Sequence, residues 1–182
     1  MEKIILVDEY DNELGVMEKL MVHVRGLRHR AFSIFIFRKI GGHFELLLQK
    51  RHPDKYHCGG LWSNTCCGHP RLNENIFTAG RRRLFEEMGL DIELESAGVF
   101  SYIANFSNGL IENEIDHVLV GFYNNQDINI DLKEVCNYSW MNLTSLMGSL
   151  LDDMESYTPW FRQSFDIAKG YLRSSRSANL RT

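Results

Sequence analysis

The stretch GHPRLNENIFTAGRRRLFEEMGL, residues 68–90, decides how this chain folds. Residues 76–88 contain no proline, and the positions Phe77, Gly80, Leu84 and Met88 recur at helical spacing, which predicts a helix with one buried stripe. Gly89 stands where a helix C-terminus favours a residue tolerant of positive φ. At 3.6 residues per turn, Arg82 lies above Glu86 and Arg83 above Glu87. Taken alone, that ladder is an ordinary pair of surface salt bridges. Residues 51–70, just upstream, are polar and glycine-containing, a long loop of the kind that carries function in a compact domain.

Working outward, AFSIFIF at residues 31–37 reads as a strand buried on both faces, and the Gly41-Gly42 turn returns residues 44–49 as its hairpin partner. The opening KIILVDEYDNELGVMEK predicts two short strands turned at residues 10–13. Further strands are expected near 99–105 and 112–123, and helices near 143–153 and 159–172, with Pro159 in a first turn. The last residues, RSSRSANLRT, are expected to fray. The pattern is that of one mixed α/β (α+β) domain over residues 1–182.

Composition agrees with a single globular domain: 182 residues, 44% hydrophobic and 24% charged. No apolar run approaches the roughly 18 residues of a membrane span. The acidic start MEKIILVDEYDNE is unlike a signal peptide, so a cytoplasmic, non-membrane protein is expected. A formal net charge of -4 argues against a nucleic-acid partner. The average hides an asymmetry. Residues 38–83 hold nine basic and three acidic side chains, a balance of +6, against -10 for the remainder. A basic middle in an acidic chain points to a small anionic ligand. Cys58, Cys66, Cys67 and Cys136 lack the spacing of a disulfide framework and contain no C-x-x-C pair for zinc, so free thiols are expected.

Three more constellations can carry chemistry. In Asn64-Thr65-Cys66-Cys67-Gly68-His69-Pro70, a thiol lies beside an imidazole, and Cys66 reads as a buried apolar thiol. In Glu112-Asn113-Glu114-Ile115-Asp116, three carboxylates share one face of a strand and require a cation or water. His23 and His29 precede the first long strand.

Three sets of these residues together resemble the type I isopentenyl-diphosphate isomerases, enzymes of the Nudix fold. Residues 68–90 match the Nudix box G-x5-E-x7-R-E-U-x-E-E-x-G-U, U being a bulky aliphatic residue, at every fixed position except Arg83, which replaces a glutamate. Residues 60–70 match the cysteine signature G-x-W-[ST]-N-x-x-C-G-H-P, and Glu112-Asn113-Glu114 matches the E-N-E signature. The resemblance implies a Nudix-like mixed sheet sandwich flanked by helices, with residues 143–172 as a C-terminal cover. It implies interconversion of isopentenyl and dimethylallyl diphosphate by a 1,3 proton shift. Glu114 and Tyr102 would deliver a proton and Cys67 would remove one. His23, His29, His69, Glu112 and Glu114 would ligate Mn²⁺ (or Mg²⁺ or Zn²⁺), the His23–His29 loop being one residue shorter than usual. A Mg²⁺ on the diphosphate would meet Glu87. Lys19, Arg51, Lys55 and Arg83 would clamp the diphosphate, and Trp160 would face the carbocation. His43, His52, His57 and His117 have no counterpart in the family pattern. A monomer or weak homodimer acting on a small molecule is expected. The alternatives are a Nudix-type diphosphate hydrolase using Glu86 and Glu87, and a binding module without turnover. Arg83 disfavours hydrolysis, because a guanidinium replaces a cation ligand with a donor for phosphate oxygens.

Overall fold

The computed structural model describes residues 2–179. Among the described residues, nine strands form one sheet system and four α-helices pack around it. Strands β1 (Lys3–Val7) and β2 (Glu13–Glu18) make the opening hairpin, and helix α1 (Lys19–Arg25) follows directly. Glu18 caps α1 by accepting from the amides of Leu20 and Met21, and Gly26 ends it in the left-handed region. The hairpin matches the sequence reading; α1, a helix of seven residues, does not appear in it.

Strand β3 (His29–Ile40) organises the rest. It pairs antiparallel with β4 (His43–Arg51) and β6 (Cys66–Gly68), and parallel with β8 (Ile111–Phe122). Outside these, β7 (Glu95–Asn105) pairs with β8, while β5 (Trp62–Ser63) and β9 (Val135–Asn142) pair with β4. Residues 51–70 are therefore a loop containing two short strands.

Alternation along β3 feeds two cores, as its continuous apolar run requires. Phe32, Ile34 and Ile36 join Leu84, Met88 and Leu119 beneath helix α2 (Ile76–Met88). Phe35 and Phe37 join Phe161 and Phe165 of helix α4 (Phe161–Asn179), with Leu146 and Leu150 of helix α3 (Leu143–Asp152). The result is helix, sheet, helix: a mixed α/β single domain.

Helix α2 has the bounds read from the sequence, with Asn75 as N-cap and Gly89 at φ 70° as its left-handed end. A Cβ on Gly89 would also lie 2.8–3.1 Å from Asn129, so the position needs glycine for space as well as conformation. Phe77 differs from expectation, being 37% exposed in the first turn, while Ala79 completes the buried stripe. Leu84→Ala is expected to cost about 2–5 kcal/mol, a cavity under a fully buried helix side chain, measured by urea unfolding.

Two expectations at the C-terminus change. Pro159 precedes α4 rather than lying inside it: the Phe161 amide bonds the Thr158 carbonyl and the Ser164 amide bonds that of Trp160. The helix also continues beyond its expected end at Leu172, to Asn179; residues 180–182, the last of the stretch expected to fray, lie outside the described residues. No helix among the described residues is long and apolar enough to cross a membrane.

Candidate active site

Strand register gathers the site at one end of the sheet. The parallel β3–β8 pairing sets His29 opposite Glu114, and the β7–β8 pairing sets Tyr102 opposite the same Glu114. On the other flank of β3, Ser33 faces Cys67 and Phe32 faces Gly68. A Cβ on Gly68 would come within 3.0 Å of both Arg83 and Phe32, so this glycine lets α2 approach the sheet. The cleft so formed is lined by Lys19, Arg51, Lys55, Cys67, His69, Arg83, Glu87, Tyr102, Glu112, Glu114 and Trp160.

Beneath it, His23, His29, His69 and Glu112 bring ligand atoms within 4.8 Å of one another, all four residues buried. Local structure fixes the imidazoles. His23 Nδ1 meets the Lys19 carbonyl at 2.6 Å, one turn back in α1, and His29 Nδ1 meets the Leu27 carbonyl at 2.9 Å. A nitrogen facing a carbonyl must carry a proton, so in the neutral ring, the form that can ligate a cation, Nε2 is left a bare lone pair. Yet His23 Nε2 lies 3.1 Å and His29 Nε2 3.3 Å from Glu112 Oε2. These three atoms have no hydrogen-bond partner. Acceptors converging on acceptors in a buried place fit a divalent cation, with each Nδ1 contact orienting its ring.

Glu114 borders this group rather than belonging to its tightest set. Its Oε1 is 3.3 Å from His29 Nε2 and 3.2 Å from His69 Nε2. The demand for positive charge shows in the titration. Burial opposes protonation of His29, but Glu112 and Glu114 outweigh it and hold the imidazole up at about 10. Burial instead drives His69 down to about 4. Burial works against both Glu112 and Glu114 as anions, yet the surrounding imidazoles keep Glu112 well below the usual carboxylate range and Glu114 below it.

Tyr102 donates its hydroxyl to Glu114 Oε2 at 2.5 Å, and burial beside that carboxylate pushes the phenol well up. Cys67 donates its thiol to Asn64 Oδ1 at 3.1 Å, with Ser33 Oγ 3.7 Å from the sulfur. Burial, with Asp116 nearby, pushes this thiol up to about 12. Cys66 points into the core under α2 whereas Cys67 faces the other side, as strand alternation requires. All four cysteines are free.

The basic residues each hold an acidic or polar partner. Lys19 Nζ is 3.0 Å from Glu2, Lys55 pairs with Glu134, and Arg83 bonds Glu86 at 2.7 Å and Glu87 closely. Arg51 bonds the His57 carbonyl at 3.2 Å and stands 5.6 Å from the Trp160 ring centre. Glu87 is buried and accepts from Gln49 at 3.2 Å, whereas Glu86 is exposed on the outer side of α2.

His57, which the sequence pattern left out, belongs to the site. Its Nε2 is 2.7 Å from Glu112 Oε1, and its ring stacks on Phe106 at 4.7 Å. It holds one carboxylate oxygen and leaves Oε2 to the imidazoles. Its sequence signal was only a histidine inside the functional loop. Asp116 shares the strand face of Glu112 and Glu114, but it is buried under Ser33, whose hydroxyl donates to it at 2.7 Å. Burial and the neighbouring Glu114 push that carboxyl well above the usual carboxylate range.

The chain is similar to known proteins in sequence and in fold. The NUDIX domain family matches residues 27–162. Isopentenyl-diphosphate Delta-isomerase 2 of Photorhabdus laumondii is 46% identical over 162 residues, 89% of each chain. Isopentenyl-diphosphate Delta-isomerase of Pectobacterium atrosepticum is 40% identical over 180 residues, 98% of each chain. Among solved structures, a MutT protein from Methanosarcina mazei superposes with a TM-score of 0.63 at 22% identity, covering 81% of this chain and 95% of its own, a likeness of fold.

Proposed function

The chain belongs to the NUDIX superfamily and, within it, to the isopentenyl-diphosphate Delta-isomerases; from that premise we propose how its side chains interconvert isopentenyl and dimethylallyl diphosphate. The observation that carries the reading is that a proton-transfer pair, Cys67 and Tyr102–Glu114, shares one cleft with the cations Lys19, Arg51, Lys55 and Arg83. A diphosphate entering the cleft takes over cations now held by Glu2, Glu134, Glu86 and Glu87. The C5 chain then lies between Tyr102 on β7 and Cys67 on β6, strands that bracket β8 and β3.

Protonation at C4 of an unactivated alkene gives a tertiary cation at C3, and loss of a C2 proton gives the isomer. That sequence needs an acid and a base held at two neighbouring carbons. We place Tyr102–Glu114 at C4 and Cys67 at C2: toward dimethylallyl diphosphate, Tyr102–Glu114 gives its proton and Cys67 takes one as the thiolate, and in the reverse direction the Cys67 thiol gives its proton and deprotonated Tyr102–Glu114 takes one. The Trp160 face supports the positive charge without supplying a nucleophile. The cover excludes water that would trap it: Thr158 N–H bonds the Trp62 carbonyl at 3.0 Å, and Ser63 Oγ meets Thr158 Oγ1 at 3.1 Å.

The family is metal-dependent, and the donor sets fit two ions. His23, His29, His69, Glu112 and the bordering Glu114 suit Mn²⁺, Mg²⁺ or Zn²⁺, while Glu87 suits Mg²⁺ carried by the diphosphate. Such an ion would neutralise the buried carboxylates and fix the Glu114 carboxylate. Exhaustive chelation is expected to abolish turnover and lower the melting temperature in a scan, with Mn²⁺ or Mg²⁺ restoring both. Full activity and unchanged melting after chelation would refute the assignment of the His/Glu centre. Solution as a monomer or weak dimer in a reducing cytoplasm, with all four thiols free, completes the reading.

Isopentenyl diphosphate in D₂O with Mg²⁺, followed by NMR, is expected to yield dimethylallyl diphosphate with deuterium uptake; metal-loaded, reduced protein giving none would sink the reading. Arg51→Ala is expected to raise KM by about 10–100-fold with a smaller change in kcat, since it removes a charge-assisted phosphate contact. Hydrolysis is not favoured, because Arg83 engages Glu87 and Glu86 faces solvent-side arginines.

A further inference from the structure

Asn64 is completely buried between β5 and β6, and its side-chain amide is saturated. The Nδ2 group donates to two backbone carbonyls, Cys66 at 2.7 Å and Ile34 at 3.2 Å. Those contacts fix which way the amide faces, since a flipped amide would set its oxygen against two carbonyl oxygens. The oxygen is thereby aimed at three donors: Cys67 Sγ at 3.1 Å, Trp160 Nε1 at 3.2 Å and Ser63 Oγ at 3.0 Å.

Two of these donors come from parts of the chain 93 residues apart (67 and 160), and they are the two groups the reaction needs in one geometry. Nδ2 anchors the amide to β3 and β6, so the oxygen stands on the rigid sheet rather than on a loop. Drawn toward Asn64, the S–H bond leaves the sulfur lone pairs free to face elsewhere. Anchored by its N–H, the Trp160 indole keeps one face in the cleft beside Arg51.

We propose that Asn64 is a positioning residue for the isomerisation, using one carbonyl oxygen to hold the Cys67 thiol and the Trp160 ring in fixed relation across the substrate. It touches neither the substrate nor the metal centre, and its effect falls on the chemical step. The proposal rests on the reading of Cys67 and Trp160 given above.

The test uses the whole metal-loaded protein with Asn64→Ala and Asn64→Gln. Because a displacement of about 1 Å at reacting groups costs on the order of 100-fold, Asn64→Ala is expected to lower kcat by about that factor. KM and the affinity for inorganic pyrophosphate with Mg²⁺ should stay within about threefold, because the diphosphate clamp is untouched. Asn64→Gln keeps an amide with both a donor and an acceptor oxygen and is expected to recover at least about tenfold of the lost kcat; it also serves if the alanine protein does not fold. Two readouts need no turnover. The Trp160 emission, isolated by difference from Trp160→Phe, should shift in Asn64→Ala, and the alkylation rate of Cys67, followed by mass spectrometry, should change. A folded Asn64→Ala protein with more than half the parental kcat overturns the proposal, and so does equal loss in kcat and pyrophosphate affinity. Glutamine giving no recovery over a folded alanine variant overturns it as well, and an unfolded alanine variant alongside a glutamine variant with no measurable kcat counts the same way. If the parent protein itself does not isomerise, the functional reading has failed, and unchanged emission and alkylation would then refute the Asn64 contacts separately.

Discussion

Cys67→Ala is expected to lower kcat for isomerisation by about 10²–10⁴-fold, the usual worth of a positioned proton-transfer group. The fold should survive, because the thiol is a small side chain whose partners, Asn64 and Ser33, keep other hydrogen bonds. Affinity for pyrophosphate with Mg²⁺ should be unchanged, since Lys19, Arg51, Lys55 and Arg83 remain. The expected pattern is therefore lost kcat, intact binding and a circular dichroism spectrum like that of the parent. NMR in D₂O adds a second readout: exchange at the C2 position should stop with the isomerisation. A Cys67→Ala protein within tenfold of the parent would remove the thiol from the mechanism and leave proton transfer to Tyr102–Glu114 alone.

Glu114→Gln should be at least as severe, for two separable reasons. It removes the carboxylate that accepts the Tyr102 hydroxyl at 2.5 Å, breaking the second proton-transfer unit. It also removes an anion that faces His29 and His69 at 3.2–3.3 Å, and so weakens cation binding by at least about tenfold. Turnover should fall below about one thousandth of the parent. Calorimetric titration with Mn²⁺ separates the two losses. Saturating metal would restore occupancy and leave the catalytic defect; recovery of turnover at high metal would show that Glu114 acts only as a ligand.

The sequence made α2 legible almost to the residue, because helical spacing over thirteen residues and the glycine that follows them agree. Strands β3, β4, β7 and β8 were legible through long apolar or alternating runs. Helix α1 was hidden because seven residues carry too little periodicity, and β9 because its polar exposed positions resemble a loop. Cys67, Glu112 and Glu114 were legible as signature residues and Tyr102 only through the resemblance they carry; the four line one cleft in the structure. His57 was not. Nothing local in a loop histidine reveals that a stacked Phe106 and a distant Glu112 will fix its ring. Asp116 differs in the other direction: a three-carboxylate face asks for a cation or water at each carboxylate, whereas Asp116 is buried with the Ser33 hydroxyl as its donor.

The parallel pairing of β3 with β8 has a consequence for how the chain reaches its native state. His29 and Glu114 meet only after a loop of about 85 residues has closed, and parallel partners of that separation form late. The buried imidazoles and carboxylates thus have no local precursor. Cations added to refolding protein should bind after the sheet closes and slow its reopening, leaving the rate of closure little changed. The centre then acts as a latch on a finished topology rather than a seed for it.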